Sequence, residues 1–279
     1  MVINEEAGWF SRGGVALHRR AWLPNAPRRG SVVVVHGLCE HSGRYARFGA
    51  RLAASGFAVH AMDNRGHGLS GGQRVNVDRF DDYLDDLEEF LLRTRASAAD
   101  EKVFVAGHSL GGLIALAYCL RSPAAPLRGL VLSAPAACVP ARVSPLTVFA
   151  GRILARLAPD LPVVSLPLDK ISRDMSVVAA YENDPLVFRS RLRARLGAEM
   201  LREIRDVQAR AHLLTLPLLI MQGGEDRLVD PSCSATLYGR LTSADKCLRV
   251  YTGLWHEIFN EPEGEEVLDE LSKWLLDRV

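Results

Sequence analysis

The chain has 279 residues and a net charge of +1, from 34 lysines and arginines against 33 aspartates and glutamates. This length suits one large domain or a core with an insertion, and the near-zero charge argues against nucleic acid as a partner because no long-range field attracts a polyanion. Five widely spaced cysteines without a C-x-x-C pair predict reduced thiols rather than a disulfide framework or a zinc site. The acidic N-terminal sequence predicts no signal peptide, and no uncharged stretch reaches the roughly 20 apolar residues of a membrane-spanning helix.

Short apolar runs alternate with helix-period segments along the chain, a pattern that predicts a mostly parallel sheet with helices on both faces. The predicted strands are Val15–Arg20, Ser31–His36, Phe57–Met62, Lys102–Ala106, Gly129–Ser133, Leu218–Gln222 and Cys247–Tyr251. The predicted helices are Arg44–Ala54, Asp78–Arg95, Ser109–Arg121, Pro231–Leu241 and Glu263–Leu276. In the second of these helices the apolar side chains form one stripe, which we expect to pack on the sheet.

One segment, residues 136–215, separates two predicted strands and shows no clear strand of its own. It has helix-like stretches at 146–157 and 191–211 on either side of a proline-rich segment. Ligand sites in open α/β folds lie at the carboxyl edge of the sheet, so we expect a helical cap over that edge, inserted between core residues 1–135 and 216–279. The alternative is a helical elaboration that packs elsewhere. The surplus of apolar side chains in this segment could line an acyl channel or contact a membrane.

The run Gly107-His108-Ser109-Leu110-Gly111-Gly112 joins a predicted strand to a predicted helix. A serine in a G-x-S-x-G turn of this kind has an exposed hydroxyl, because the small glycines let strand and helix pack closely around a strained position. Ser109 is therefore the candidate nucleophile. The five-residue pattern alone also occurs in ordinary glycine-rich turns.

A serine nucleophile needs a general base and an acid that orients the base. In the fold that carries this turn, the acid follows the serine along the chain and the histidine follows the acid. His256 comes after the last predicted strand, whereas His212 leaves no strand end before it for the acid, so the sequence predicts His256 as the base. Asp226, just past the penultimate strand, is the predicted acid, with Glu225 and Asp230 as alternatives.

Backbone N–H groups would stabilise the oxyanion of a tetrahedral intermediate. We expect one from Leu110, which follows the nucleophile, and one from Leu38, in the loop after the second predicted strand. Glu40 and Arg44 follow in the same loop and could bind hydroxyls of a polar head group; a surface ion pair or a helix-capping contact is an equal alternative. Because no residues have a metal-ligand spacing and no glycine-rich turn has a lysine placed for phosphates, the sequence predicts neither a metal nor a nucleotide-binding motif.

Several segments of the sequence resemble the monoacylglycerol lipase family of α/β-hydrolases, and the resemblance runs over nearly the whole chain. These segments are His36-Gly37-Leu38-Cys39-Glu40-His41-Ser42-Gly43-Arg44-Tyr45, Asp63-Asn64-Arg65-Gly66-His67-Gly68, the Ser109 turn, Asn183-Asp184-Pro185-Leu186, and the surroundings of Asp226 and His256. The resemblance implies an α/β-hydrolase core with a mobile helical cap, and a cofactor-free serine hydrolase that cleaves monoacylglycerols, which are lipid esters, to fatty acid and glycerol. It also implies that Glu40, Arg44 and the cap residue Tyr181 lie at the glycerol end of the pocket.

Other functions remain open from the residues alone. A lysophospholipase or broad carboxylesterase would use the same three side chains, and this fold also supports peptidases and haloperoxidases. A lipid-binding protein without activity, built on a hydrolase scaffold, is the alternative from another class. We expect a cytoplasmic protein with transient membrane contact through the cap, and the sequence does not predict its oligomeric state. Cys39, next to Leu38, would be reactive if exposed and inert if packed in the core.

Overall fold

The structure is a computed structural model that describes residues 4–96, 102–139, 151, 153–165 and 167–279. In these ranges the strands are β1 Asn4–Arg12, β2 Val15–Leu23, β3 Gly30–Val35, β4 Phe57–Met62, β5 Val103–His108, β6 Gly129–Ser133, β7 Pro162–Val164, β8 Leu192–Arg193, β9 Leu218–Gly223 and β10 Lys246–Tyr251. The α-helices are α1 Ala46–Ala54, α2 Asp81–Ala96, α3 Leu110–Arg121, α4 at 153–157, α5 Met175–Asn183, α6 Ala194–Arg210, α7 Ser232–Arg240 and α8 Gly264–Leu276. Short 3-10 helices cover Ser42–Tyr45, Leu168–Lys170 and Ala211–Leu213.

Eight strands form one sheet in the order β1-β2-β4-β3-β5-β6-β9-β10. The pairs from β4 to β10 are parallel, whereas β1 with β2 and β2 with β4 are antiparallel. The predicted mostly parallel sheet is therefore confirmed, and each predicted strand is present. Strand β1 is not predicted from the sequence, because eight of its nine residues are exposed or half-buried and an edge strand of this kind has no apolar alternation.

Helices cover both faces of the sheet, as the sequence predicts. Each residue of β3 is buried, and its valines alternate between two cores: Val33 and Val35 pack in one, Val32 and Val34 in the other. Side chains of α2, α3 and α7 complete the first core, and side chains of α1 and α8 complete the second. The stripe predicted on α2 is buried, including Phe80, Tyr83 and Phe90.

The segment between β6 and β9 leaves the sheet and returns to it, and we call residues 136–215 the insertion. The structure corrects the prediction that it has no strand, since β7 and β8 pair antiparallel within it. These strands have three and two residues, too few to produce a recognisable alternation. The helix predicted at 191–211 is present as α6. Most of the helix predicted at 146–157 lies outside the described residues, and its described end is α4.

The prediction that the cysteines are reduced thiols is wrong for one pair. Cys138, in the insertion, forms a disulfide with Cys233 of α7, and their Cα atoms are 5.5 Å apart. These cysteines are 95 residues apart in the sequence, so their spacing gives no sign that the fold places them together. Cys39 and Cys119 are free and buried, and Cys247 is free and partly buried.

Candidate active site

Ser109 lies at the turn between β5 and α3 with a backbone φ of 52°, a left-handed conformation that is strained for a residue other than glycine. Its N–H donates to the Ser133 carbonyl oxygen at 3.0 Å. The neighbouring glycines make this turn possible: a Cβ atom on Gly107 would clash with the Gly111 carbonyl, and one on Gly111 would clash with the Val35 carbonyl. The sequence thus forces a tight turn that presents the Ser109 side chain at the carboxyl edge of the sheet.

Asp226 and His256 are in direct contact, as the sequence predicts for an acid and the base that it orients. His256 Nδ1 lies 2.7 Å from Asp226 Oδ2, and both side chains are buried. The other contacts of the Asp226 carboxylate are N–H groups of Leu228 at 2.8 Å, Val229 at 3.0 Å and the Gln222 side chain at 3.0 Å. The carboxylate therefore has a fixed orientation at the end of β9.

The same contacts set the charges of this pair. Burial opposes ionisation of Asp226, but the nearby His256 and the hydrogen bonds outweigh it, so the pKa of Asp226 lies below its usual value. Burial also opposes a charge on His256, but the Asp226 carboxylate outweighs it and raises the pKa of His256 above 6.5. An ionised Asp226 thus directs Nδ1 and leaves Nε2 of His256 for proton transfer.

Other candidates for the acid and the base are named from the sequence, and none of them forms such a contact in the described part of the chain. In the described part of the chain, neither Glu225 nor Asp230 forms a hydrogen bond with His256. The Asp230 carboxylate instead accepts the Ser232 N–H at 2.9 Å, near the start of α7. His212 is exposed in a 3-10 helix.

Ser109 and His256 line the same cavity. The described hydrogen bonds include none between them, and such contacts often tighten only when substrate binds. His108 packs beside them, with its ring centroid 4.6 Å from that of His256. Burial, and then the nearby His256, lower the pKa of His108 to about 4, so His108 is neutral at pH 7.

The backbone N–H groups of Leu38 and Leu110 lie at this edge and have no acceptor among the described residues. Leu110 is the first residue of α3, where the N–H groups of a helix have no partner within the helix. Leu38 lies in the loop after β3, residues 36–41, which we call the β3 loop. Both are therefore free to donate to a bound oxyanion.

A buried ionic cluster lies beside the β3 loop, formed by Glu40, Arg44 and Glu257. Arg44 donates to Glu257 through both of its terminal nitrogens, at 2.6 and 2.7 Å, and to Glu40 at 2.8 Å. Its guanidinium also stacks 4.3 Å from the centre of the Tyr181 ring. A surface ion pair is one sequence-based interpretation of Glu40 and Arg44; the structure contains the ion pair, but it is buried.

Each carboxylate of the ionic cluster is ionised in spite of its burial. Burial would raise the pKa of Glu40, but Arg44 and neighbouring histidines and N–H groups lower it to about 2. The pKa of Glu257 is likewise lowered, against burial, by Arg44. The cluster thus has two negative charges and one positive charge. The sequence analysis missed Glu257, although it directly follows His256.

The cavity has a volume of about 780 Å³, within the roughly 300–1,000 Å³ of small-molecule sites. Ser109, His256, Glu40 and Glu257 lie at its polar end, and Arg44 is not among the residues that line it. The remaining walls are mostly apolar and come largely from the insertion. Their side chains include Leu154, Leu168, Ile171, Tyr181, Leu201 and Ile204.

Cys39, whose reactivity the sequence leaves open, is buried beside this site. Burial, together with the Glu40 carboxylate, raises the pKa of its thiol to about 12. The thiol is therefore protonated and inaccessible at neutral pH, as expected for a packed cysteine.

No helix of the described residues has both the length and the apolar composition of a membrane span. Within the same ranges, no three histidine, cysteine, aspartate or glutamate side chains are grouped so that they could hold a metal ion.

Known proteins are similar to this chain over nearly its whole length. The family model described as "Serine aminopeptidase, S33" matches residues 26–263. A monoacylglycerol lipase from Mycolicibacterium smegmatis is 39% identical over 279 residues, which cover 99% of this chain and 98% of that protein. The chain belongs to the monoacylglycerol lipase family. Membership in this family confirms both the predicted resemblance and the α/β-hydrolase fold.

Other relatives of the family add to this result. The crystal structure of a monoacylglycerol lipase from Paleococcus ferrophilus matches with a TM-score of 0.83 and 30% identity, and the match covers 100% of both chains. A Bacillus subtilis protein named Phospholipase YtpA is 33% identical over 238 residues, which cover 85% of this chain and 91% of that protein. The family relationship thus extends to a relative with a different named substrate.

Proposed function

We propose that this protein hydrolyses monoacylglycerols to a fatty acid and glycerol through an acyl-enzyme. One observation carries the proposal: an apolar cavity of about 780 Å³ ends at Ser109, His256 and a buried ionic cluster. A long acyl chain fits apolar walls, and a short polar alcohol fits the charged end. The similarity to monoacylglycerol lipases supports the same substrate.

In the proposed mechanism, His256 accepts the proton of the Ser109 hydroxyl as its oxygen attacks the ester carbonyl, and Asp226 orients the imidazole. The Leu38 and Leu110 N–H groups stabilise the oxyanion. His256 then donates the proton to the leaving glycerol oxygen. Water attacks the acyl-enzyme with His256 again as the base, and His256 then donates this proton to Ser109 Oγ as the bond to the acyl group breaks and the fatty acid leaves. None of these steps requires a metal or a cofactor.

The polar end of the cavity favours glycerol over a phosphate head group. The ionic cluster has a net charge of −1, which would repel a phosphodiester. We assign Glu40 and Tyr181, which line the cavity, to the glycerol subsite. Arg44 binds the two carboxylates and does not line the cavity. We therefore propose a structural role for Arg44, in place of the contact with the glycerol head group that the resemblance implies.

The insertion is proposed as the cap of this enzyme, over a core formed by residues 1–135 and 216–279. It supplies most of the apolar cavity wall and also exposes apolar side chains: Leu157 is 80% exposed, Met175 69% and Val164 51%. Such side chains suit transient contact with a membrane that contains the substrate. The cytoplasmic location rests on the sequence alone, and the Cys138–Cys233 disulfide argues against it because cytosolic disulfides are rare.

A phospholipase or lysophospholipase is the second candidate, because a relative of this chain is a phospholipase by name. The test is fatty-acid release from a monoacylglycerol, a lysophospholipid with the same acyl chain, and a short aryl ester, with Ser109→Ala as the blank. We expect kcat/KM for the monoacylglycerol to exceed that for the lysophospholipid by at least about tenfold, equivalent to about 1.4 kcal/mol.

Each contrary outcome of this test has a definite meaning. A preference for the lysophospholipid would replace the proposed substrate with the second candidate. Hydrolysis of the aryl ester alone would indicate a carboxylesterase of another substrate class. Release no faster than with Ser109→Ala would indicate a lipid-binding protein without activity.

A further inference from the structure

The ionic cluster joins two segments that each carry part of the proposed catalytic site. Glu257 directly follows His256 in the loop between β10 and α8, residues 252–263, which we call the His256 loop. Glu40 belongs to the β3 loop, which carries Leu38. Arg44 donates to both carboxylates, so one guanidinium links the two loops across 213 residues of sequence.

The ionic cluster is also hydrogen-bonded to the backbone of the β3 loop, through Glu40. Glu40 Oε1 accepts the Gly37 N–H at 2.6 Å and the Tyr45 hydroxyl at 2.9 Å. The next N–H along the chain is that of Leu38, the proposed oxyanion donor. A shift of Glu40 would therefore rotate or displace the peptide that carries this donor.

The burial of the cluster makes this link rigid. The side chains of Glu40, Arg44 and Glu257 are 5%, 11% and 6% exposed, so water cannot easily replace a lost partner. Removal of one member of a buried ion pair leaves an uncompensated charge, which the neighbouring segments must move to solvate. The bidentate geometry between Arg44 and Glu257 also fixes an orientation, since two parallel hydrogen bonds restrict rotation.

We propose that Glu257 is a positioning residue that acts through Arg44 and Glu40 to hold the Leu38 N–H in register with His256. This inference rests on the proposed roles of Leu38 and His256, and not on the identity of the ester. It predicts a loss of turnover rather than of substrate affinity, because a misplaced oxyanion donor destabilises only the transition state.

Glu257 also affects the charge state of His256, which gives a second and independent measurement. The titratable groups that face His256 are Asp226, Glu257, Glu40 and the neutral His108. Burial lowers the pKa of His256, Asp226 raises it most, and Glu257 and Glu40 raise it further. Neutralising Glu257 removes one of these negative charges, so the acid limb of kcat/KM should move to lower pH.

The experiment compares Glu257→Ala and Glu257→Gln with the unchanged protein on a short aryl ester and on a long-chain monoacylglycerol. We expect Glu257→Ala to lower kcat by about 10- to 100-fold on both esters with KM within about twofold, because a displacement of about 1 Å can cost 10² in rate. Glu257→Gln keeps the shape of the side chain. It should lose less activity and move the acid limb down by at least about 0.3 pH units.

The control is Glu263→Gln, which neutralises a more exposed carboxylate in the same loop, one paired with Arg173. It should leave kcat and the pH profile unchanged. An unchanged kcat in Glu257→Ala would overturn the proposal. A rise in KM for the monoacylglycerol alone would also overturn it, because that result would indicate that Glu257 binds the head group. If Glu257→Ala does not fold, Glu257→Gln decides, and an unmoved acid limb contradicts the proposal.

The two proposals fail in different ways. If the unchanged protein hydrolyses aryl esters but not monoacylglycerols, the proposed substrate is wrong, and the aryl ester still tests Glu257. If Ser109→Ala is as active as the unchanged protein on both esters, the proposed site is wrong and the role of Glu257 is overturned with it.

Discussion

The two walls of the cavity are built differently. On the sheet side, Ser109 and Asp226 sit at the ends of parallel strands, and His256 is held against Asp226 by a buried hydrogen bond. On the insertion side, helices such as the 17-residue α6 contribute apolar side chains, and other apolar side chains of the insertion, such as Leu157, are exposed to solvent. We therefore expect the proposed chemistry to depend on the strand ends, and the preference for the shape of the substrate to depend on the side chains of the insertion.

The largest effect in this comparison should come from Asp226→Asn, on the sheet side. The amide removes the charge that raises the pKa of His256 and can stabilise the wrong tautomer, so kcat should fall by about 10⁴-fold on both a short aryl ester and a long-chain monoacylglycerol. Steady-state kinetics measure this loss. The control is Glu225→Gln, which changes a neighbouring acid that has no hydrogen bond to His256, and it should retain full activity. A loss of kcat greater than that of Asp226→Asn would indicate that Glu225 is the orienting acid.

A smaller effect should follow when the covalent link between the two walls is removed. The disulfide joins Cys138 of the insertion to Cys233 of α7, and both residues line the cavity. Replacing both with serine should lower the free energy of unfolding by about 2–4 kcal/mol, because the open chain gains entropy when unfolded. Denaturant unfolding with and without a reductant measures this, with Cys247→Ser as the control. Equal stability of the unchanged protein with and without the reductant would indicate that the pair is not bonded in solution.

The smallest effect should come from the insertion side, through Gly197→Leu in α6. Gly197 lines the cavity, and among the described residues a Cβ atom there would meet only the Leu192 side chain, at an ordinary 3.5 Å. The added side chain shortens the cavity, so kcat/KM for a long-chain monoacylglycerol should fall by about tenfold while that for a short aryl ester stays constant. Gly239→Leu, at an exposed position on α7, is the matched control. Equal losses on both esters would contradict the division between the walls.

The sheet side was also the more predictable side. A strand buried on both faces, such as β3, requires a continuous apolar run, and this signal is local. The order of Ser109, Asp226 and His256 along the chain, after β5, β9 and β10, follows from the same pattern, and the contact between Asp226 and His256 agrees with it. Both predictions needed only short stretches of sequence.

What the sequence did not predict depends on contacts between distant segments. The role of Glu257 depends on Arg44, 213 residues away, and the disulfide joins cysteines 95 residues apart. No spacing rule relates such pairs before the fold is known. The edge strand β1 and the short strands β7 and β8 were missed for another reason, since exposed or very short strands carry no apolar alternation.

Labelling with a fluorophosphonate that carries a long alkyl chain tests most directly that the apolar cavity ends at a serine nucleophile. Mass spectrometry would identify the modified residue, and labelling rates would be compared with and without a long-chain monoacylglycerol. We predict a single modification on Ser109 that the monoacylglycerol slows, with no labelling of Ser109→Ala. Labelling of another residue, or none, would contradict the assignment of Ser109, and labelling that the monoacylglycerol does not slow would contradict the shared cavity.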